Sequence, residues 1–194
     1  HQLKLLASQG VARAGLCVGH MGDMIVKEIG DGARIGMKGE YSFDGGRLRG
    51  TAGAVANALD KLGPAFFTLY GDSYLECDMA AVQKAFEASG KSGLMTVYRN
   101  EGRWGPSNVE YDGGRIAAYD KKNPTPRMHH IDYGIGVFKS SVFESLEPDR
   151  PCDLETVYQG LLARGELAAF ESPTRFYEIG SPEGLKETRR YLAG

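Results

Sequence analysis

The sequence has no surplus of either charge: 23 basic residues stand against 25 acidic ones, for a net charge of −2. Without a basic excess there is no electrostatic footprint for nucleic acid, and without a run of Lys and Arg there is none for an anionic membrane surface. No apolar stretch approaches the length of a membrane-spanning helix, and no secretory leader pattern is visible. Cysteine is scarce. Cys17, Cys77 and Cys152 are an odd number without Cys-x-x-Cys or metal-ligand spacing, which points to reduced thiols in the cytoplasm and against a disulfide frame or a zinc site. Ser73 and Cys77 lack His and Asp partners spaced as a nucleophile–base pair, and His129-His130 lack a third ligand. No Gly-Lys-Ser/Thr follows a glycine-rich loop, which excludes a Walker-type phosphate site. No Gly-x-Gly-x-x-Gly follows a first strand, which weighs against a Rossmann oxidoreductase. Internal repeats, low-complexity tracts and linkers are also missing.

What is present is glycine, 27 residues of it, in a chain of 194. That length suits one domain with a sizeable core, and that many glycines suit tight strand–helix turns. Periodicity predicts helices over 3–9, 23–29, 51–62, 79–88, 140–146, 154–164 and 182–192. Apolar runs predict strands over 14–19, 37–43, 65–70, 92–98, 131–138 and 176–180. A hairpin of 108–111 and 115–119 turns on Asp112-Gly113-Gly114. Ser181-Pro182 reads as an N-cap followed by a proline at the first helical position. Alternating helices and strands imply an α/β fold: a three-layer α/β/α sandwich around a mostly parallel, mixed sheet. The stretch 123–127, Asn-Pro-Thr-Pro-Arg, reads as an active-site loop.

Several groups fall where such sheets do chemistry. The strand 65–70 ends in Gly71-Asp72, placing a carboxylate at the carboxyl edge of a sheet, where open α/β folds bind ligands and where a hard cation could hold a phosphate. A turn or helix-capping role accounts for Asp72 equally well. Gly50, Thr51, Ala52 and Gly53 open a helix whose first N–H groups favour negative charge, although close packing by small residues explains them too. Lys121 and Lys122 follow a strand and could meet a phosphate as point charges; a solvated pair is the plainer reading. Asp132 and Gly134 interrupt an apolar strand, either for close approach of a ligand or for a bulge. Glu178 ends another strand and could share a cation with Asp72.

In order along the chain, Gly50-Thr51-Ala52-Gly53-Ala54, Leu69-Tyr70-Gly71-Asp72-Ser73, Ser107-Asn108-Val109, Tyr119-Asp120-Lys121-Lys122, Ile131-Asp132-Tyr133-Gly134 and Tyr177-Glu178-Ile179-Gly180-Ser181-Pro182-Glu183 resemble the sugar-1-phosphate nucleotidylyltransferases. The mannose- and heptose-1-phosphate guanylyltransferases are the nearest branch. The resemblance implies the nucleotide-diphospho-sugar transferase fold, a nucleoside triphosphate (GTP favoured) and a sugar 1-phosphate as substrates, and Mg²⁺ as cofactor. It implies that Gly50, Thr51, Ala52, Gly53, Gly71 and Asp72 face the nucleotide. Asn108, Lys121 or Lys122, Asp132, Gly134 and Glu155 would face the sugar phosphate. Asp72 matches the family's metal aspartate, and Glu178 stands where a second aspartate is usual. Asp72 and one of the two lysines would be catalytic; one register gives Lys122, the pairing with Asp120 gives Lys121. The family's opening strand and its Gly-x-Gly-Thr-Arg loop have no counterpart here. That departure implies a truncated gene model, a cleaved N-terminus, a segment supplied by another chain or a shortened relative; together with Glu178 it also admits a non-catalytic sugar-nucleotide-binding or regulatory module of the same fold. A homo-oligomer is compatible with the family.

Overall fold

A computed structural model describes residues 1–147 and 150–194. In chain order these form α1 (Gln2–Ser8), β1 (Arg13–Val18), α2 (Gly22–Ile29), β2 (Lys38–Phe43), α3 (Gly50–Asn57), β3 (Ala65–Leu69), β4 (Ser73–Leu75), α4 (Met79–Ser89), β5 (Gly93–Arg99), β6 (Val109–Asp112), β7 (Arg115–Tyr119), β8 (His130–Lys139), α5 (Leu154–Ala163), β9 (Leu167–Glu171), β10 (Phe176–Glu178) and α6 (Pro182–Ala193). They gather into two compact units. One comprises Leu3–Phe66 and Lys139–Val157; the other comprises His1–Gln2, Phe67–Phe138 and Tyr158–Gly194.

The first unit is built on a β–α–β turn of chain. β1 and β2 pair in parallel, in register from Arg13 with Lys38 to Val18 with Phe43, and α2 makes the crossover that parallel strands require. The return into β2 depends on Gly32, whose φ is +83° and where a Cβ would lie 2.5 Å from the Met37 carbonyl oxygen. Asn57, at the end of α3, donates to the Ser42 hydroxyl and the Phe43 carbonyl and so ties that helix to β2.

The second unit carries a six-stranded mixed sheet in the order β7-β6-β8-β5-β9, with β3 also paired to β8. β5 is buried from Gly93 to Val97 and β8 from Tyr133 to Phe138, because these central strands are apolar on both faces. Leu94, Val97, Ile135, Phe138, Tyr158 and Leu161 are among the fully buried side chains of this core. A separate antiparallel pair joins β4 to β10, with Glu178 opposite Ser73. Asp78 caps α4 by accepting from the Ala81 N–H, and Ser181 caps α6 by accepting from Gly184, with Pro182 at its first position as predicted.

The sheet of the second unit is mixed. β5–β9 is parallel, whereas β5–β8, β6–β7 and β6–β8 are antiparallel. The connection from β5 to β6 contains no helix, and the Gly-Gly turn after β6 folds straight back, so neither makes a crossover. The predicted helix over 140–146 is reduced to a single 3-10 turn, Ser140–Val142, and the helix begun at Gly50 yields after Asn57 to another, Leu59–Lys61. β4 and β9 were not anticipated: one has three residues, the other reads Leu-Ala-Ala-Phe-Glu, with alanines poor in strand preference. Among the described residues no helix is long and apolar enough to cross a membrane, and the three cysteines are free.

Candidate active site

A cleft of about 310 Å³ opens in the second unit, lined by Tyr70, Ser73, Pro106, Asn108, Lys121, residues 131–134, Phe176 and Glu178. It forms where β8 departs from regular pairing. Met95 of β5 faces Gly136 but Val97 faces Asp132, so β8 carries extra residues between them. Gly134 takes φ +102° within that bulge, and the buried Thr96 hydroxyl bridges it by donating to the Ile135 carbonyl and accepting the Ile135 N–H. Gly134 is therefore a bulge glycine, and it lines the cleft.

Asp132 follows from that geometry. Its side chain is 3% exposed. One carboxylate oxygen accepts the Gly134 N–H at 3.1 Å; the other accepts the Tyr119 hydroxyl at 3.1 Å and lies 3.5 Å from Lys121 Nζ. The Asp132 N–H donates to Asn108 Oδ1 at 2.9 Å. A backbone N–H can only donate, so this bond fixes the Asn108 amide with its oxygen toward β8 and leaves its NH₂ as the group with donors to offer. Lys121 also rests over the rings of Tyr70 and Tyr119, 5.3 and 5.9 Å from their centroids. Lys122 is exposed, and its N–H donates to Asp120 in a tight turn. Of the two lysines, Lys121 is the one in the cleft wall.

Asp72 sits in the exposed turn between β3 and β4, where Ser73 donates to its Oδ1. Glu178 folds back onto the start of α6. Its Oε2 accepts the Gly180 and Ser181 N–H groups at 2.6 and 3.0 Å, and its Oε1 accepts the Ser181 hydroxyl at 2.6 Å. A Cβ added at Gly180 would lie 3.2 Å from Glu178 Oε2 and 3.3 Å from Asp72 Oδ2, so the two carboxylates converge on one small volume that the glycine leaves open. Among the described residues no three His, Cys, Asp or Glu side chains cluster as a metal site.

The family model for nucleotidyl transferases matches residues 1–193. The chain belongs to the nucleotidyl transferase family. It is 30% identical to the glucose-1-phosphate cytidylyltransferase of Salmonella typhi over 70% of this chain and 49% of that protein. It is 25% identical to the mannose-1-phosphate guanylyltransferase of Mycobacterium tuberculosis over 94% of this chain and 52% of that protein. The chain thus spans about half the length of the curated relatives it matches. A putative glucose-1-phosphate thymidylyltransferase from Bacillus anthracis, solved with sucrose, superposes with a TM-score of 0.84 at 19% identity, covering 97% of this chain and 79% of that one. These findings establish the α/β fold of the nucleotide-diphospho-sugar transferases and bear out the resemblance drawn from the motifs.

Within this nucleotidyl transferase fold, one expectation changes. The N–H groups that open α3 are already taken: Thr51 donates to Asp153 Oδ1, and Ala52 and Gly53 donate to the Cys152 carbonyl. The Thr51 hydroxyl in turn accepts the Leu154 N–H at the start of α5, so two helix N-termini cap each other. Gly50 is obligatory there, with φ +73° and a would-be Cβ 2.5 Å from the Cys152 oxygen. The small residues serve close packing, and this helix start offers no free anion cradle. Glu155 lies half-buried in the first turn of α5, in the same unit as Gly50 to Gly53; Gly71 is exposed with open space around it. Residues 123–127 do not line the cleft.

Sequence reasoning missed Tyr70, Tyr119, Phe176, Gly180 and Gly184. The last packs so tightly that a Cβ would fall 1.8 Å from Glu178 Oε1. Gly184 stands three residues after the N-cap serine, and its adjacency to Glu178 emerges only once β10 and α6 are folded.

Proposed function

We propose that this protein transfers a nucleotidyl group from a nucleoside triphosphate to a sugar 1-phosphate, giving a nucleotide sugar and pyrophosphate. The observation that carries the reading is one cleft lined by Lys121 and Asn108, a cation and an amide, and by Glu178, with whose carboxylate Asp72 converges. It does so in a chain that belongs to the nucleotidyl transferase family. Lys121 and the Asn108 amide hold the phosphate of the sugar substrate. A phosphate oxygen is anionic at neutral pH and attacks the α-phosphorus in line without a strong general base. The work of the protein is therefore positioning and charge neutralisation. Gly71 and Asp72, in the turn after β3, flank the nucleotide.

The residues fit a divalent cation. Mg²⁺ takes one or two carboxylates and fills its remaining positions with water and phosphate oxygens. Asp72 Oδ2 faces the space at Gly180 together with Glu178 Oε2; the latter already accepts two N–H groups, so Asp72 would be the main ligand and Glu178 would join by exchanging one of those bonds for the cation. When bound, Mg²⁺ would supply positive charge that offsets the charge of the phosphates. GTP is the preferred triphosphate, supported by guanylyltransferase relatives that align over 94% of the chain. The three free thiols suit the cytosol.

Pyrophosphate release by the full-length protein, with GTP, CTP, UTP and dTTP crossed against glucose, mannose and heptose 1-phosphates, tests this. Turnover that EDTA abolishes and Mg²⁺ restores is the expected result. Folded protein that binds a nucleotide sugar but releases no pyrophosphate with any pair would overturn it in favour of a non-catalytic module.

A further inference from the structure

Tyr119 lies outside the cleft wall and is 4% exposed, yet it touches both halves of the Lys121–Asp132 pair. We propose that Tyr119, acting through Asp132, is a positioning residue that holds the Lys121 ammonium in the cleft and thereby sets the affinity for the sugar 1-phosphate without contacting it. The inference rests on the proposed function and names the residue that prepares its phosphate site.

A lysine two residues beyond a strand end has a flexible four-carbon stem and no intrinsic reason to dwell in one place. Here the Asp132 carboxylate and the faces of Tyr70 and Tyr119 restrict it. Tyr119 is itself held. Its ring packs edge-on against the buried Tyr158, at 5.8 Å and 87°, and its carbonyl accepts from Gln159. Burial, and then the Asp132 charge, push its phenol far above the usual range, so the hydroxyl keeps its proton and can donate it.

The sharing of Asp132 Oδ2 decides the effect. With the Tyr119 hydroxyl in place, that oxygen has two partners and only a 3.5 Å contact to Lys121. Take the hydroxyl away and a buried carboxylate oxygen loses its neutral donor. Lys121 is then the group left to satisfy it, and the ammonium is drawn into the wall. A sugar phosphate must compete with Asp132 for a cation that the intact site had left partly committed.

Tyr119→Phe removes only the hydroxyl. In the full-length protein, with the sugar 1-phosphate of highest turnover in the panel, we expect KM for that substrate to rise about tenfold, the loss of one hydrogen bond at a charged group. KM for the nucleoside triphosphate should stay within twofold. In a Lys121→Met background the same substitution should leave KM unchanged, because its route of action is gone. A second cycle with Asp132→Asn should lose the Tyr119→Phe effect likewise. A tenfold effect that persists in both backgrounds, or equal changes in both KM values, would mean that Tyr119 merely supports the fold and would overturn the inference. So would an unchanged KM in Tyr119→Phe beside an active wild type. A wild type that turns over no sugar 1-phosphate overturns the proposed function itself.

Discussion

Two regions of this chain offer hydrogen-bond donors of the kind that hold phosphates, and they end up in opposite conditions. At the start of α3 the Thr51, Ala52 and Gly53 N–H groups point at Asp153 and the Cys152 carbonyl, so the chain satisfies its own helix terminus. In the cleft, Asn108 and Lys121 are steered by Asp132, one by its backbone and one by its carboxylate, and both border open space. A donor counts for binding only when the fold leaves it something to do. Orphan groups at a helix start are costly, and an acidic side chain from a distant segment removes that cost as well as a ligand would.

The sharpest separation of the two regions should come from Lys121→Met, which removes the cation proposed to meet the sugar phosphate. It should lower kcat/KM about 100-fold, near the upper worth of a hydrogen bond to a charged group. Lys122→Met should stay within threefold. If steady-state kinetics rank the two lysines the other way, the cleft assignment fails.

Gly184→Ala comes next, because it drives Glu178 from the α6 terminus. Three hydrogen bonds are strained or lost, and we expect about 2 kcal/mol of destabilisation in urea unfolding. An unchanged midpoint would show that Glu178 has another stable position.

Thr51→Val tests the other region. Loss of the reciprocal cap should cost about 1 kcal/mol of stability with kcat/KM changed less than threefold. Normal stability with a large rise in KM for the triphosphate would instead make Thr51 a nucleotide ligand and dissolve the contrast drawn above.

The smallest effect belongs to the turn that carries the lysines. Asn123 N–H, the Asn123 amide and Lys122 N–H hold the exposed Asp120 carboxyl below its ordinary pKa of 3.8. A carboxyl lowered by folding steadies this turn fully above pH 3.8 and releases it as pH falls through the lower folded value. The Lys122 and Asn123 amide resonances should therefore titrate below pH 3.8. A midpoint at or above 3.8 contradicts the hydrogen bonds described.

Much of this could be read before folding. The strands 65–70, 92–98 and 131–138, the Asp112-Gly113-Gly114 hairpin and the Ser181-Pro182 helix start all appear within a few residues of their expected bounds, because periodicity, turn glycines and caps act locally. Asp72, the Lys121-Lys122 pair, Asp132 and Glu178 stood out by their places at strand ends or inside an apolar strand, and Asn108 by motif order. What stayed hidden depends on neighbours far along the chain. Nothing near Thr51 announces Asp153, 102 residues away. Nothing near Asp132 announces that Tyr119, rather than a ligand, fills one of its lone pairs.

By itself, then, the sequence determined the fold class, the family and the types of residue available for phosphate chemistry, since these follow from local preference and from motifs in order. Only the tertiary structure decided which of those residues keep a hydrogen-bonding position open. A polar group's chemistry depends on whether another part of the same chain has already satisfied it, and that is settled by packing. Lys121 rather than Lys122 borders the cleft, Glu178 is half committed to a helix start, and the donors of Thr51 to Gly53 are spent, all for that one reason.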